Sequence, residues 1–242
     1  MSGILKQGAR IAGGLAAAMV VAAFGYLAAG EGGAAQDGKY VGAGKCKNCH
    51  RSSKAGGQFG SWQKSKHAKA FETLASDEAK KVAKEKGIDD PQKSEKCLKC
   101  HQTAYGEPAD RMTKKFDAKA GVQCESCHGT GEKHAKERLA AAGGEEEDAG
   151  DAEKPLVKLP AGEIAAGTLD ACLKCHNSES PTFKAMCVTE AFKEVMHLDP
   201  RKKRSDDDVA AMKKKMADEL TAKNSYCGGP EKCKKCQKAA GK

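Results

Sequence analysis

CKNCH at residues 46–50 sets two cysteines three apart with a histidine directly after the second, and the pattern returns as CLKCH at 97–101, CESCH at 124–128 and CLKCH at 172–176. On one turn of helix the two thiols can each form a thioether with a vinyl group on one edge of a porphyrin. The histidine that follows then sits under the iron. A structural zinc site or a disulfide accounts for paired cysteines but gives no reason for the fifth residue. With 7 histidines in 242 residues, chance puts one there about 3% of the time, so four coincidences are roughly a one-in-a-million event. The sequence thus calls for four covalently bound haem c groups, held by Cys46 and Cys49, Cys97 and Cys100, Cys124 and Cys127, and Cys172 and Cys175. Their irons would take His50, His101, His128 and His176 as proximal ligands.

Composition agrees with a chain built around cofactors. Aromatic residues make up 5% and charged residues 31%, which leaves little apolar material for an ordinary core. The apolar faces of four macrocycles would replace it, and a chain without haem is expected to stay largely unfolded. The fold class expected is mainly α and loop-rich, a multihaem cytochrome c fold organised around four covalently attached haems. Ser76 with Asp77 and Glu78 reads as a helix start, stopped by Gly87 and Pro91. Ser180 with Pro181 is expected to open a helix running towards Pro200. Ser205 with Asp206 to Asp208 opens another, with Val209, Met212, Met216 and Leu220 at helical spacing. A short hairpin is expected near the start of the haem region.

Lys6 and Arg10 precede an uncharged Ala/Gly-rich run from Ile11 to Ala29. It reads as an export signal cut between Gly30 and Ala35, the alternative being a retained membrane anchor. Either outcome puts the chain in the periplasm or otherwise outside the cytoplasm, where disulfides persist. The division expected is 1–35 export signal or N-terminal anchor, 37–205 tetrahaem domain, and 206–242 C-terminal helix and Cys-rich tail. An acidic run, Glu145 to Glu153, reads as a surface loop. The net charge of +9 is read first as balancing eight haem propionates. A basic face for an acidic redox partner is the alternative, with Arg201 to Arg204 its candidate, while nucleic acid is not expected as a partner.

Removing the four motif histidines leaves His67, His134 and His197, candidates for second axial ligands because a neutral imidazole commonly fills that position. Three cannot cap four irons. His67, Phe71 and Leu74 are expected to share one face of a helix that starts near Trp62, and His197 to close the helix after the fourth motif. His134 follows His128 too closely to reach the far side of the same iron, so it should serve another. The iron left over has three readings: a vacant site, a side chain such as Met112, or a histidine from a neighbouring copy.

The stretches GKCKNCH, SWQKSKHAKAFETL, CLKCH and GVQCESCHGTG, with a fourth CxxCH and a downstream MH, resemble the tetrahaem cytochrome c-554 family of nitrifying bacteria over about residues 40–200. The resemblance implies that His134 caps the haem on His50, His67 the haem on His128 and His197 the haem on His176. The haem on His101 would be five-coordinate and high-spin. It further implies a carrier of electrons away from hydroxylamine oxidation with a side activity on nitric oxide. Related tetrahaem chains also polymerise, which makes a homo-oligomer a third and more distant role.

Cys187, Cys227, Cys233 and Cys236 remain. Gln237 stands where a fifth motif would need histidine, so no fifth haem is expected. Two disulfides, a four-cysteine zinc site and a redox-active CxxC pair are the readings left open. Two functions compete for the whole chain: a carrier relaying electrons between redox partner proteins through closely packed haems, and a reductase of nitric oxide or a related nitrogen species at the haem on His101. The carrier ranks first because it requires only the four motifs.

Overall fold

The computed structural model of the chain describes residues 38–53, 56–141, 169–198 and 204–222, and every regular element within them is helical. The chain divides into two compact units, Met1–Ala34 and Ala35–Lys242, and all described residues lie in the second. The run from Ile11 to Ala29, the acidic stretch from Glu145 to Glu153, Arg201 to Lys203, and Cys227, Cys233 and Cys236 lie outside the described residues. Among the described residues no helix is long and apolar enough to cross a membrane.

Among the described residues ten α-helices carry the chain. They are α1 (Ala43–His50), α2 (Gln58–Lys64), α3 (Ala70–Thr73), α4 (Asp77–Glu85) and α5 (Glu95–His101), then α6 (Glu125–His128), α7 (Glu132–Ala141), α8 (Leu169–Leu173), α9 (Val188–Val195) and α10 (Asp206–Ala222). Local signals set several of their ends. The Ser76 hydroxyl accepts from the Ala79 N–H at 3.2 Å and opens α4. Gly87, at φ 65°, closes it as the Ile88 N–H reaches back to the Ala83 carbonyl at 2.8 Å. At the start of α10 the Ser205 hydroxyl accepts from Asp208 N–H at 3.1 Å while the Asp208 carboxylate accepts from Ser205 N–H at 2.9 Å, a reciprocal cap. Leu220 on α10 is fully buried, and α10 packs on α8 and α9.

Three expectations are corrected. Among the described residues no hairpin forms near the start of the haem region: Tyr40 makes a parallel bridge to Met112, its N–H donating to Arg111 at 2.8 Å and its carbonyl accepting from Thr113 at 3.0 Å. His67, Phe71 and Leu74 do not share a continuous helix with Trp62, because α2 ends at Lys64, Ser65 is extended and residues 66–69 form a turn before α3. A distant segment causes the break. The His67 carbonyl accepts from Val122 N–H at 2.9 Å, and Trp62 Nε1–H donates to the Val122 carbonyl at 2.8 Å. Finally, α9 begins at Val188 rather than near Pro181, where there is only a turn. Burial of Cys187 and Val188 fixes that start, and the Cys187 sulfur accepts from Glu190 N–H at 3.5 Å in place of a hydroxyl cap.

Gly121 is the pivot of this arrangement. At φ 74° it presses its backbone on the turn that carries His67, and a Cβ there would lie 2.6 Å from the His67 carbonyl oxygen and 2.8 Å from that of Ala68. Neither neighbour is a flexible side-chain end, so they cannot yield cheaply. Gly121→Ala is expected to cost roughly 2–4 kcal/mol, read from the denaturation midpoint of the haem-loaded protein.

The side-chain core is thin. Only Val41, Ala43, Leu74, Ala83, Leu98, Cys187, Val188 and Leu220 are buried apolar residues among those described. Thr103, Gln123, Glu125 and Thr130 are buried beside them, so polar groups hold much of the interior.

Candidate haem centres

The first two CxxCH motifs end α1 and α5, the third spans α6 with Cys124 as its N-cap, and the fourth runs off the end of α8 into a turn closed by His176 N–H donating to the Cys172 carbonyl at 2.9 Å. Each motif therefore makes about one helical turn, which sets both thiols on the side where the histidine points. None of the eight motif cysteines is in a disulfide.

Each spare histidine lies opposite a motif histidine. The ring centres of His50 and His134 are 6.2 Å apart, those of His67 and His176 6.0 Å, and those of His128 and His197 6.0 Å. An iron held between two imidazoles by bonds of about 2.0 Å, with about 1.1 Å from nitrogen to ring centre, sets the centres about 6.2 Å apart. The three pairs match that separation, and thiols for covalent attachment stand beside each. Among the described residues no group of three or more His, Cys, Asp and Glu is placed to hold a bare metal ion. Two axial donors and two thiols are what a macrocycle requires, so the residues present fit haem c.

The pairing differs in part from the one implied by the family resemblance. His134 does face His50, but His67 faces His176 and His128 faces His197, the reverse of the expected assignment of these two caps. The topology gives the reason. His67 sits in the turn that precedes α3, and the Ala70 carbonyl three residues on accepts from His101 Nδ1 at 2.7 Å, so this turn lies with the second motif. The second motif in turn adjoins the fourth: Cys100 and Cys175 are within hydrogen-bond reach, and Lys99 Nζ meets the Glu179 carboxylate at 2.7 Å. His67 is thus carried to His176.

The same neighbour relations order all four motifs. The Cys46 and Cys124 thiols are hydrogen-bonded, which joins the first motif to the third. Cys127 and Cys172 interact electrostatically and α6 packs on α8, which joins the third to the fourth. Contacts thus run from the first motif to the third, from the third to the fourth and from the fourth to the second, rather than simply in sequence order. All seven histidines of the chain are described residues, and six of them form the three pairs. His101 is the seventh. Its Nδ1 bond to a backbone carbonyl fixes the ring with Nε2 free for iron. Met112, one of the readings for a second ligand there, sits in the bridge to Tyr40, whose ring packs on Phe116.

Burial shapes the protonation of these groups. Burial, reinforced by the neighbouring His176, lowers the His67 pKa, and burial together with His128 and then His50 lowers that of His197, with a backbone bond to Val195 opposing. Both rings are held in the neutral form that binds iron. Burial pushes the Cys127 thiol up to about 11, whereas a hydrogen bond from Cys175 holds Cys100 at about 7.

Sequence reasoning missed the residues that fasten one motif to another. Glu125, an inner residue of the third motif, is buried and accepts from the N–H groups of Val41 at 2.9 Å, Gly42 at 2.8 Å and Gly131 at 2.7 Å. The Gln123 side-chain carbonyl accepts from Ala43 N–H at 2.8 Å. Between them they satisfy the N–H groups of Gly42 and Ala43 at the start of α1, so residues of and just before the third motif cap the helix of the first. Burial raises the Glu125 pKa while its backbone bonds oppose the rise. Thr103, just past the second motif, bonds to the Gly121 carbonyl at 3.1 Å, to Gln123 N–H at 2.7 Å and to Ser126 at 2.7 Å, tying that motif to the same segment. One signal was available: Glu125 is the sole acidic inner residue of the four motifs. Glu125→Ala strands buried N–H donors and is expected to cost about 2–4 kcal/mol, again read from the denaturation midpoint of the haem-loaded protein.

Cys187 is disulfide-bonded, which removes the four-cysteine zinc reading because that site needs four thiolates. Its partner lies outside the described residues.

Comparison with known proteins agrees with this chemistry. The family described as cytochrome c554 and c-prime matches residues 45–129, a span that holds the first three motifs. The chain is 32% identical over 182 residues to cytochrome c-554 of Nitrosomonas europaea, covering 70% of this chain and 71% of that protein. No solved structure matches.

Proposed function

The chain belongs to the cytochrome c-554 family, and from that premise we propose that it is an exported tetrahaem electron carrier relaying electrons between redox partner proteins. It is a helical c-type cytochrome at the coarsest level. The observation that carries the finer reading is the matching of His134, His67 and His197 to His50, His176 and His128 at 6.0–6.2 Å. When bound, haem supplies one-electron redox chemistry at its iron. The protein's own part is to position each imidazole, to keep His67 and His197 neutral by burial and to hold neighbouring motifs in contact by hydrogen bonds. Contacts between motifs join all four, so an electron entering at one centre would have an adjacent centre to pass to. Export is read from residues 1–35, with cleavage between Gly30 and Ala35.

A second reading, reduction of nitric oxide or a related nitrogen species at the His101 centre, is favoured by one observation: the other six histidines are already paired. An iron lacking a second protein ligand can bind a small molecule, whereas a bis-histidine iron only passes electrons.

Intact-mass measurement of the secreted protein, with a pyridine haemochrome assay, is expected to give four haems and a mature N-terminus between residues 30 and 36. Fewer than four would reject the tetrahaem reading. Electron paramagnetic resonance of the oxidised protein is expected to show three low-spin centres and one high-spin centre. Four low-spin signals would remove the reductase.

A further inference from the structure

The positive charge of the chain is gathered on one motif. Residues 38–71 contain eight Lys/Arg and no Asp or Glu, leaving 34 Lys/Arg against 33 Asp/Glu over the rest of the chain. Nearly all of the net +9 therefore belongs to this one segment. If the excess only balanced haem propionates it should be spread over four motifs. The neighbouring stretch 72–96 shows the contrast, with seven acidic and six basic residues interleaved.

The segment forms α1 and α2, which pack on each other. Lys47, Arg51, Lys64, Lys66 and Lys69 are exposed there. The Lys47 ammonium stands 5.9 Å from the centre of the Phe59 ring, a cation–π contact that links α1 to α2. Cys49 is the one exposed cysteine of the eight in the motifs, the other seven being partly buried. One of the two attachment cysteines of the first motif thus lies exposed inside the cationic field.

We infer that the α1–α2 face is the docking surface for an acidic redox protein, with electrons crossing at the Cys49 edge of the first haem. This rests on the proposed carrier function. The step is a one-electron exchange: the partner's centre is oxidised as the haem iron is reduced, or the reverse, and no bond is made or broken. Long-range attraction between the cationic face and an anionic one raises the encounter rate and orients the edge towards the partner.

The test uses the full haem-loaded protein in stopped flow, with a reduced plant-type ferredoxin as the acidic protein probe and reduced lumiflavin as a small neutral one. Lys47→Glu/Lys64→Glu is expected to slow reduction by ferredoxin about tenfold or more at low salt and to flatten its ionic-strength dependence, with the lumiflavin rate unchanged. Glutamate inside a motif is tolerated, as CESCH at 124–128 shows. Lys80→Glu/Lys84→Glu on α4 makes the same change in net charge elsewhere and should stay within about twofold of the parent. Equal slowing by both pairs, or none by the first, would overturn the assignment while leaving the carrier intact. Haems that lumiflavin cannot reduce would overturn the carrier reading, and this one with it. The face would belong to another occupant if replacing Glu145, Glu146 and Glu147 with glutamine accelerated ferredoxin several-fold, or if the first pair abolished self-association on sedimentation. Either result also overturns the proposal.

Discussion

A His67→Ala variant is expected to lose about one third of the low-spin intensity in electron paramagnetic resonance and to gain a second high-spin centre, because His67 stands opposite His176 where a second imidazole ligand would bind. Added imidazole should restore the low-spin signal, which a merely structural defect would not allow. The centre affected is the one on His176, 6.0 Å from His67 across their ring centres. That assignment has its own check. In a Cys172→Ala/Cys175→Ala background, which lacks the fourth attachment site, His67→Ala should remove no further low-spin signal, whereas His197→Ala should still remove one. The opposite pattern would restore the pairing implied by the family resemblance and contradict the geometry.

The second large effect is loss of the fold without haem. Replacing all eight motif cysteines with serine, or expressing the chain where no haem is attached, is expected to abolish the cooperative thermal transition and most of the far-ultraviolet helical signal. The helices are short, most of them ten residues or fewer, and isolated helices of that length are marginal in water. The eight buried apolar side chains among the described residues cannot offset the entropy of ordering the chain around them. A compact apoprotein with a sharp melting transition would show that the side chains suffice.

What was legible in the sequence was local. The motifs, the caps at Ser76 and Ser205 and the stop at Gly87 are written in adjacent residues, and each is found where the sequence put it. The misreadings share a cause in distant contacts. SWQKSKHAKAF has helical composition throughout, yet the chain breaks after Lys64 because Gly121 and Val122 claim the His67 carbonyl. The Ser-Pro signal at 180–181 gives way to burial of Cys187 and Val188. Which spare histidine meets which motif depends on whether α3 travels with the second motif, and nothing local to His67 records that. Glu125 carried a trace, an acid inside a haem motif, but its role appears only once the start of α1 is seen beside it.

The clamp between Glu125 and the start of α1 also bears on how the protein is made. A ribosome delivers Cys46, Cys49 and His50 long before residues 123–134, which supply both the cap of their helix and the opposing ring of His134. The ring that faces His50 is therefore supplied 84 residues after it. A chain truncated before residue 134 would keep Gln123 and Glu125 at the start of α1 but lack that ring, so a haem held at His50 would have no second imidazole.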